Sequence, residues 1–361
     1  MRDVDRARIR EIKAKVAAML DERGALEGGQ APGAGPSRYW SDFCAFFDYL
    51  PGLPEESYEK LRLHTYHLTG DNYQRYYFGD ARAFLATGEW EALTAGLPNG
   101  FVLNEPEGGI GFRYPDGRFL SLDVLRFQRI VTNLYRHGIL SRLTGVQGRR
   151  PRVLEIGGGY GGLAHHLQRV CGGRLSYFGV DLPETLLFSA SYLALQNPGK
   201  KLYLYDHGDF EGRVRSGALD AYDFVLLPNY ALEGLGKTSF DLVLNLASFQ
   251  EMTADQVAWY LDFIQAHCQG MLYSWNKDHE PRNRELGSLS QALRERFEVT
   301  ELAPPLLPGN GSRGWRESLR LNVKKALKNT AALAGLLEKK GAAPDEPFCE
   351  YLCRPLPLRG P

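Results

Sequence analysis

Apolar positions change their period several times along the chain, and each change predicts an element. Between Val4 and Leu20, Ile9, Ile12, Val16 and Met19 recur at intervals of three and four with charges between them, which predicts an amphipathic helix packing one face on a partner surface. Residues 24–37 are rich in Gly and Pro and read as a linker. Leu61 to Phe84 reads as helices bearing Tyr66, Tyr73, Tyr76, Tyr77 and Phe78, an aromatic stripe best explained as core. Asn104 to Phe119, with Gly108, Gly109, Gly111 and Pro115-Asp-Gly117, suits a hairpin or a pocket-side loop, and Ser121 to Leu143 reads as one helix.

From Arg152 onward the pattern becomes short continuous apolar runs alternating with helical stretches. The runs are Arg152–Ile156, Tyr177–Asp181, Phe240–Asn245 and Gly270–Trp275, with Lys201–Tyr205 and Phe224–Leu227 competing for the third place and the second preferred. Helices are expected at Gly162–Val170, from Pro183 to about Gln196, and at Ala254–Ala266. Phe297–Leu302 and Phe348–Leu352 would close the sheet as an antiparallel pair around an insertion at about residues 303–346. Continuous apolar runs belong to strands buried on both faces, so the pattern predicts an α/β fold, a Rossmann-like sheet of seven strands with the last pair antiparallel. Residues 1–145 would form a mostly helical cap serving the substrate or dimerisation, and 146–361 the nucleotide-type domain.

Composition narrows the classes. Lys plus Arg and Asp plus Glu are both 43, so no overall field favours nucleic acid. The charged amino terminus, Met1-Arg-Asp-Val-Asp-Arg, is unlike a signal peptide, and no apolar run reaches the ~18 residues that span a bilayer, so a cytoplasmic protein is expected. Five cysteines, Cys44, Cys171, Cys268, Cys349 and Cys353, read as reduced thiols; Cys349 and Cys353 share a strand face and read as packing.

The densest chemical signal is Val153-Leu-Glu-Ile-Gly-Gly-Gly-Tyr-Gly-Gly-Leu163 followed by Tyr177-Phe-Gly-Val-Asp181. Strand, glycine turn, helix, strand and acid come in that order. Gly157, Gly158, Gly159 and Gly161, with Tyr160 among them, let a ligand approach backbone amides at a helix amino terminus, and Asp181 is placed for a ribose diol. The spacing satisfies both a dinucleotide pattern and the Glu-x-Gly-x-Gly-x-Gly of S-adenosylmethionine (SAM) enzymes. Glu155 tilts the reading toward SAM, because a carboxylate there can hold an ammonium and offers nothing to a pyrophosphate. An NAD-dependent oxidoreductase or epimerase stays open as the alternative.

Ligands of open parallel sheets bind beyond the carboxyl ends of the strands. That rule adds Leu182, Asn229, Asn245 and Leu246 to the cofactor candidates, and Ser248, Gln250 and Asn276 to those for a substrate. Glu251, His279 and Asp278 are the candidates for a general base, Glu251 first. His207 and Asp209, with Asp278 and His279, carry donors suited to a divalent cation, although no metal is predicted. Arg313 and Arg316 open a basic stretch in the insertion that would suit the diphosphate of a nucleotide-linked acceptor.

Glu155-Ile-Gly-Gly-Gly-Tyr-Gly, Asp181-Leu-Pro-Glu-Thr, Phe240-Asp-Leu-Val-Leu-Asn-Leu-Ala-Ser-Phe-Gln-Glu-Met252 and Tyr273-Ser-Trp-Asn276 together resemble the sugar O-methyltransferase family. The resemblance covers roughly residues 120–300. The stretch Ser248-Phe-Gln-Glu-Met252 is its more specific part, since the glycine turn is shared by all class I methyltransferases. It implies SAM as cofactor and a hydroxyl of a sugar or sugar-bearing metabolite of natural-product or polysaccharide biosynthesis as acceptor. Transfer to nitrogen or carbon is the close rival.

Overall fold

The computed structural model describes residues 1–26, 35–77, 88–302 and 347–358. The chain divides into two compact units, one comprising Met1–Gly70, Leu134–Ala303 and Glu346–Pro361, the other containing Asp71–Asn133. In the smaller unit, β1 (Phe112–Arg113) and β2 (Phe119–Leu120) form an antiparallel hairpin. Gly111 sits in it at φ 153°, where a side chain would run into the Leu120 carbonyl.

The larger unit is built on one sheet. Its strands are β3 (Arg152–Ile156), β4 (Ser176–Asp181), β5 (Leu202–Leu204), β6 (Phe224–Pro228), β7 (Phe240–Leu246), β8 (Cys268–Lys277), β9 (Phe297–Glu301) and β10 (Phe348–Pro355), in the order β5-β6-β4-β3-β7-β8-β10-β9. The first six in that order are parallel, whereas β10 runs antiparallel between β8 and β9. The order reverses at β3, which places the carboxyl ends of β3, β4 and β7 around one crevice. This is a Rossmann-like sheet closed by antiparallel strands, with one strand more than the seven expected. Leu202–Leu204 and Phe224–Pro228 do not compete for one place: the short β5 pairs outside β6 as an edge. Apolar side chains on both faces, Val153, Leu154, Ile156, Phe178, Val180, Leu242, Val243 and Leu244, are fully buried and explain the unbroken apolar runs.

The amino-terminal helix α1 (Asp3–Leu26) buries Ile9, Ile12, Val16 and Met19, the four residues whose spacing predicted it. It packs on the helix Pro183–Gln196 and is followed by α2 (Arg38–Ala45), capped by the Ser37 hydroxyl. Met1–Gly70 thus packs with the sheet, whereas the sequence reading divided the chain at 145. The single helix expected at Ser121–Leu143 is two, α3 (Leu122–Arg136) and α4 (Ile139–Gly145), because Gly138 takes a left-handed φ of 68° between them. The aromatic stripe also departs from expectation: Tyr66, Tyr73 and Tyr77 are exposed instead of packed. Short turns, Tyr66–Thr69 and Tyr73–Tyr77, replace long helices there, so no continuous face forms. Phe78 lies outside the described residues.

Further helices of the larger unit are α5 (Gly162–Val170), α6 (Pro183–Gln196), α7 (Phe210–Ser216), α8 (Ala254–His267) and α9 (Leu289–Arg294). Helix α8 opens with a capping box of Thr253 and Gln256. Among the described residues no helix is long and apolar enough to cross a membrane.

Candidate active site

The turn from β3 to α5 is shaped by three glycines at positive φ, Gly157 (74°), Gly159 (57°) and Gly161 (84°). They serve different purposes. A side chain at Gly157 would overlap the Ser248 hydroxyl, so this glycine lets the turn after β7 close over the turn after β3. At Gly159 nothing lies within 4 Å of where a Cβ would be, so the backbone faces open space there. Gly159 N–H donates to Asp181 Oδ2 at 2.9 Å and Leu182 N–H to Oδ1 at 2.8 Å, so the acid ending β4 fixes the turn beside it.

Glu155 lies on β3 with its carboxylate buried, accepting a 2.8 Å hydrogen bond from the Tyr177 hydroxyl on β4. A small pocket is lined by Glu155, Gly158, Gly159, Gly161 and Asp181 on its polar side. Leu186, Leu193 and Leu226 form part of its apolar wall. Burial pushes the carboxyls of Glu155 and Asp181 up to about 7, and each is raised further by a neighbouring carboxylate, Asp181 for the first and Glu184 for the second.

Across the crevice, Ala247 occupies a positive φ of 53°, the one non-glycine to do so among the described residues. The kink turns the chain off β7 into the short 3₁₀ turn Phe249–Glu251. Asn245, fully buried, fixes that turn: its Nδ2 donates to the Ile156 carbonyl at 2.9 Å, and its Oδ1 accepts from Phe249 N at 3.1 Å and from Asn276 Nδ2 at 3.0 Å. Gln250 accepts from the Lys277 amide at 2.7 Å through Oε1. Asn245 on β7, Asn276 on β8 and Gln250 in the turn itself thus hold the turn after β7 against the sheet. Ser248 faces Gly157.

Glu251 is half-buried, and its Oε2 accepts the Trp40 indole N–H at 2.9 Å. Burial pushes its carboxyl up to about 8; Trp40 and Lys277 pull down, while Glu280 and Asp181 push up. The other two base candidates are placed differently. Asp278 accepts from the Ser290 amide at 2.6 Å and the Ser288 hydroxyl at 3.1 Å, holding the start of α9. His279 is about half exposed and lies 3.4 Å from Asp278. His207 and Asp209 are engaged elsewhere, His207 with Glu22 at 2.8 Å and Asp209 with Arg213 at 2.6 Å. Among the described residues no three His, Cys, Asp or Glu are grouped to hold a metal. Leu246 ends β7, half-buried, and Asn229 follows β6, buried. Tyr160 turns inward, edge-on to Tyr192 and under the Arg62 guanidinium at 4.3 Å. Arg313 and Arg316 lie outside the described residues.

Sequence reasoning missed the amino-terminal contribution. Arg62 reaches the turn after β3, Arg23 pairs bidentately with Glu184 after β4, Glu22 meets Tyr205 and His207 after β5 and Tyr230 after β6, and Trp40 meets Glu251 after β7. Partners about a hundred to 211 positions apart leave no trace in local spacing. Tyr177 was the findable one: two and four residues along one strand, it shares a face with Gly179 and Asp181.

No family model matches the chain, and no curated protein does. Solved structures similar to it include the Haemonchus contortus phosphoethanolamine N-methyltransferase 2 bound to phosphomonomethylethanolamine and S-adenosylhomocysteine (15% identity, 63% of this chain and 54% of that one, TM-score 0.35). An O-methyltransferase family protein from Burkholderia thailandensis is another (12% identity, 61% and 66% covered, TM-score 0.32). The chain spans little more than half the length of the Haemonchus enzyme, 54% and 56% in its two structures. At these scores the likeness carries no functional argument, and the functional reading rests on the site itself.

Proposed function

We propose that this protein is a SAM-dependent methyltransferase acting on a hydroxyl of a sugar or sugar-bearing small metabolite. The observation that carries the cofactor is a charge mismatch awaiting a cation. Glu155, Asp181 and Glu251 converge at the ends of three strands, and among the described residues none of them is ion-paired to Lys or Arg. A ligand with a sulfonium and an ammonium would relieve that cluster, whereas a pyrophosphate would add repulsion. The residues present fit the group: Gly159 leaves backbone open to it, Asp181 suits a ribose diol, and Glu155 suits an ammonium.

When bound, SAM would supply an activated methyl group. The protein's own work is to exclude water, align the acceptor and take its proton. Glu251 is our choice for the proton acceptor, because it lies on the turn opposite the glycine loop and its raised value leaves it basic enough to deprotonate a bound hydroxyl partly. The sugar acceptor draws its support from the resemblance of residues 248–252 to the sugar O-methyltransferases.

Calorimetry tests the cofactor, with S-adenosylhomocysteine expected to bind and NAD not; heat with NAD alone would overturn the proposal. A panel of sugars and nucleotide sugars with methyl-labelled SAM tests the acceptor class. Label transferred to amines but not to hydroxyls would move the reading to nitrogen.

A further inference from the structure

We propose that Trp40, on helix α2, is a positioning residue that holds one carboxylate oxygen of Glu251 so that the other faces the acceptor. The inference rests on the reading of Glu251 as base and adds to it a residue 211 positions away.

The turn that carries Glu251 is fixed through its main chain. Phe249 N–H meets Asn245, and Asn283 Nδ2 donates to the carbonyls of Gln250 and Met252 at 2.9 and 2.7 Å. None of these bonds reaches the Glu251 side chain, which is held by Trp40. The same helix end is tied to the same residue a second time, because the Ser37 hydroxyl donates to the Glu251 carbonyl at 2.6 Å while capping α2 by accepting from Trp40 N–H. The helix that presents the indole is thus anchored to the residue whose carboxylate the indole holds.

An indole N–H donates and cannot accept. The bond draws electron density from Oε2 and makes Oε1 the more basic oxygen, so a proton taken from an acceptor hydroxyl goes preferentially to Oε1, whose lone pair forms the new O–H bond as the old one breaks. Trp40 thereby decides which oxygen works. The charged and titratable groups around Glu251 are Tyr39 on α2, Asp181 at the end of β4, and Lys277 at the end of β8 paired at 2.8 Å with Glu280. Arg282 acts on Tyr39, whose phenol burial pushes up to about 12, so it stays protonated.

Tryptophan emission tests the coupling without an acceptor, because an adjacent carboxylic acid and carboxylate quench indole differently. The full chain is titrated between pH 6 and 10 as wild type, Glu251→Gln and Trp40→Phe, each checked by circular dichroism. A transition near pH 8 is expected in the wild type and in neither variant. Persistence of that transition in Glu251→Gln, or its absence from the wild type, would overturn the proposal. Should Trp40→Phe fail to fold, 5-fluorotryptophan labelling reads the pair without it: one fluorine resonance shifts near pH 8 in the wild type and stays fixed in Glu251→Gln. Once an acceptor is in hand, the acid limb of kcat should rise by about one in pH in Trp40→Phe, since the indole favours the ionised form. Titration coupling without adenosylhomocysteine binding would sink the methyl-transfer reading alone. Binding without the coupling would sink this inference alone.

Discussion

The hydroxyl of Tyr177 on β4 donates to Glu155 Oε2 on the neighbouring parallel strand β3 at 2.8 Å, and it is the hydrogen bond that favours the ionised form of an otherwise enclosed acid. Removing it in Tyr177→Phe keeps the packing and leaves Glu155 protonated to higher pH. A hydrogen bond to a charged group is worth ~1.5–3 kcal/mol, so adenosylhomocysteine should bind about tenfold more weakly at pH 7. Calorimetry showing unchanged affinity in the folded variant would remove Glu155 from the ligand contacts.

Cofactor affinity should depend on pH near neutrality. The folded, unliganded values of Glu155 and Asp181, both about 7, lie above the ~4 of free carboxyls, so burial favours their protonated forms. Their contribution to stability is therefore present at acid pH and is lost as pH rises toward 7. A cationic ligand reverses the preference by favouring the ionised forms. SAM should thus bind more tightly at pH 8 than at pH 6 and release protons at pH 6.5, seen as a buffer-dependent heat. Glu155→Gln should roughly halve the proton release, and a pH-independent affinity would contradict the charge argument.

Gly157→Ala should destabilise the protein by about 3 kcal/mol, since a methyl there meets the Ser248 side chain and the left-handed φ itself costs ~1–2 kcal/mol. Adding Ser248→Gly removes the overlap but not the backbone cost. The double variant should therefore recover part of the loss in a denaturant titration. Strict additivity of the two changes would show that the turns after β3 and β7 do not touch.

Arg23→Ala should cost up to ~3 kcal/mol at pH 7, because Glu184 is buried and would lose both arms of a pair at 2.6 and 2.9 Å. Limited proteolysis should then cut within residues 1–70 faster than in the wild type. An unaltered rate and midpoint would mean that the pair does not couple α1 to α6.

Much of the sheet was legible because buried parallel strands write themselves as unbroken apolar runs. Arg152–Ile156 and Gly162–Val170 fall where the pattern put them. The extra edge strand was harder: three residues at an edge pair on one side only and leave a weak signal. The break at Gly138 looked like a tolerated glycine inside a helix, and a left-handed stop differs from that only in φ. At the candidate site, residues just after strands could be named from topology alone, and the structure brings Gly157 and Ser248 together and sets Asp181 against Gly159. What spacing cannot separate is a residue facing a ligand from one bracing the turn, as Asn245 and Gln250 do. Nor can it foresee that Trp40 and Arg23 reach the crevice, since those partners meet only after the chain has folded back on itself.

The first seventy residues grip the loop after each of five successive strands, with Arg62, Arg23, Glu22 and Trp40 as the fingers. Because one segment holds all five loops, its detachment should loosen the carboxyl ends of the parallel strands together, and amide hydrogen exchange should show the five loops opening as one cooperative step.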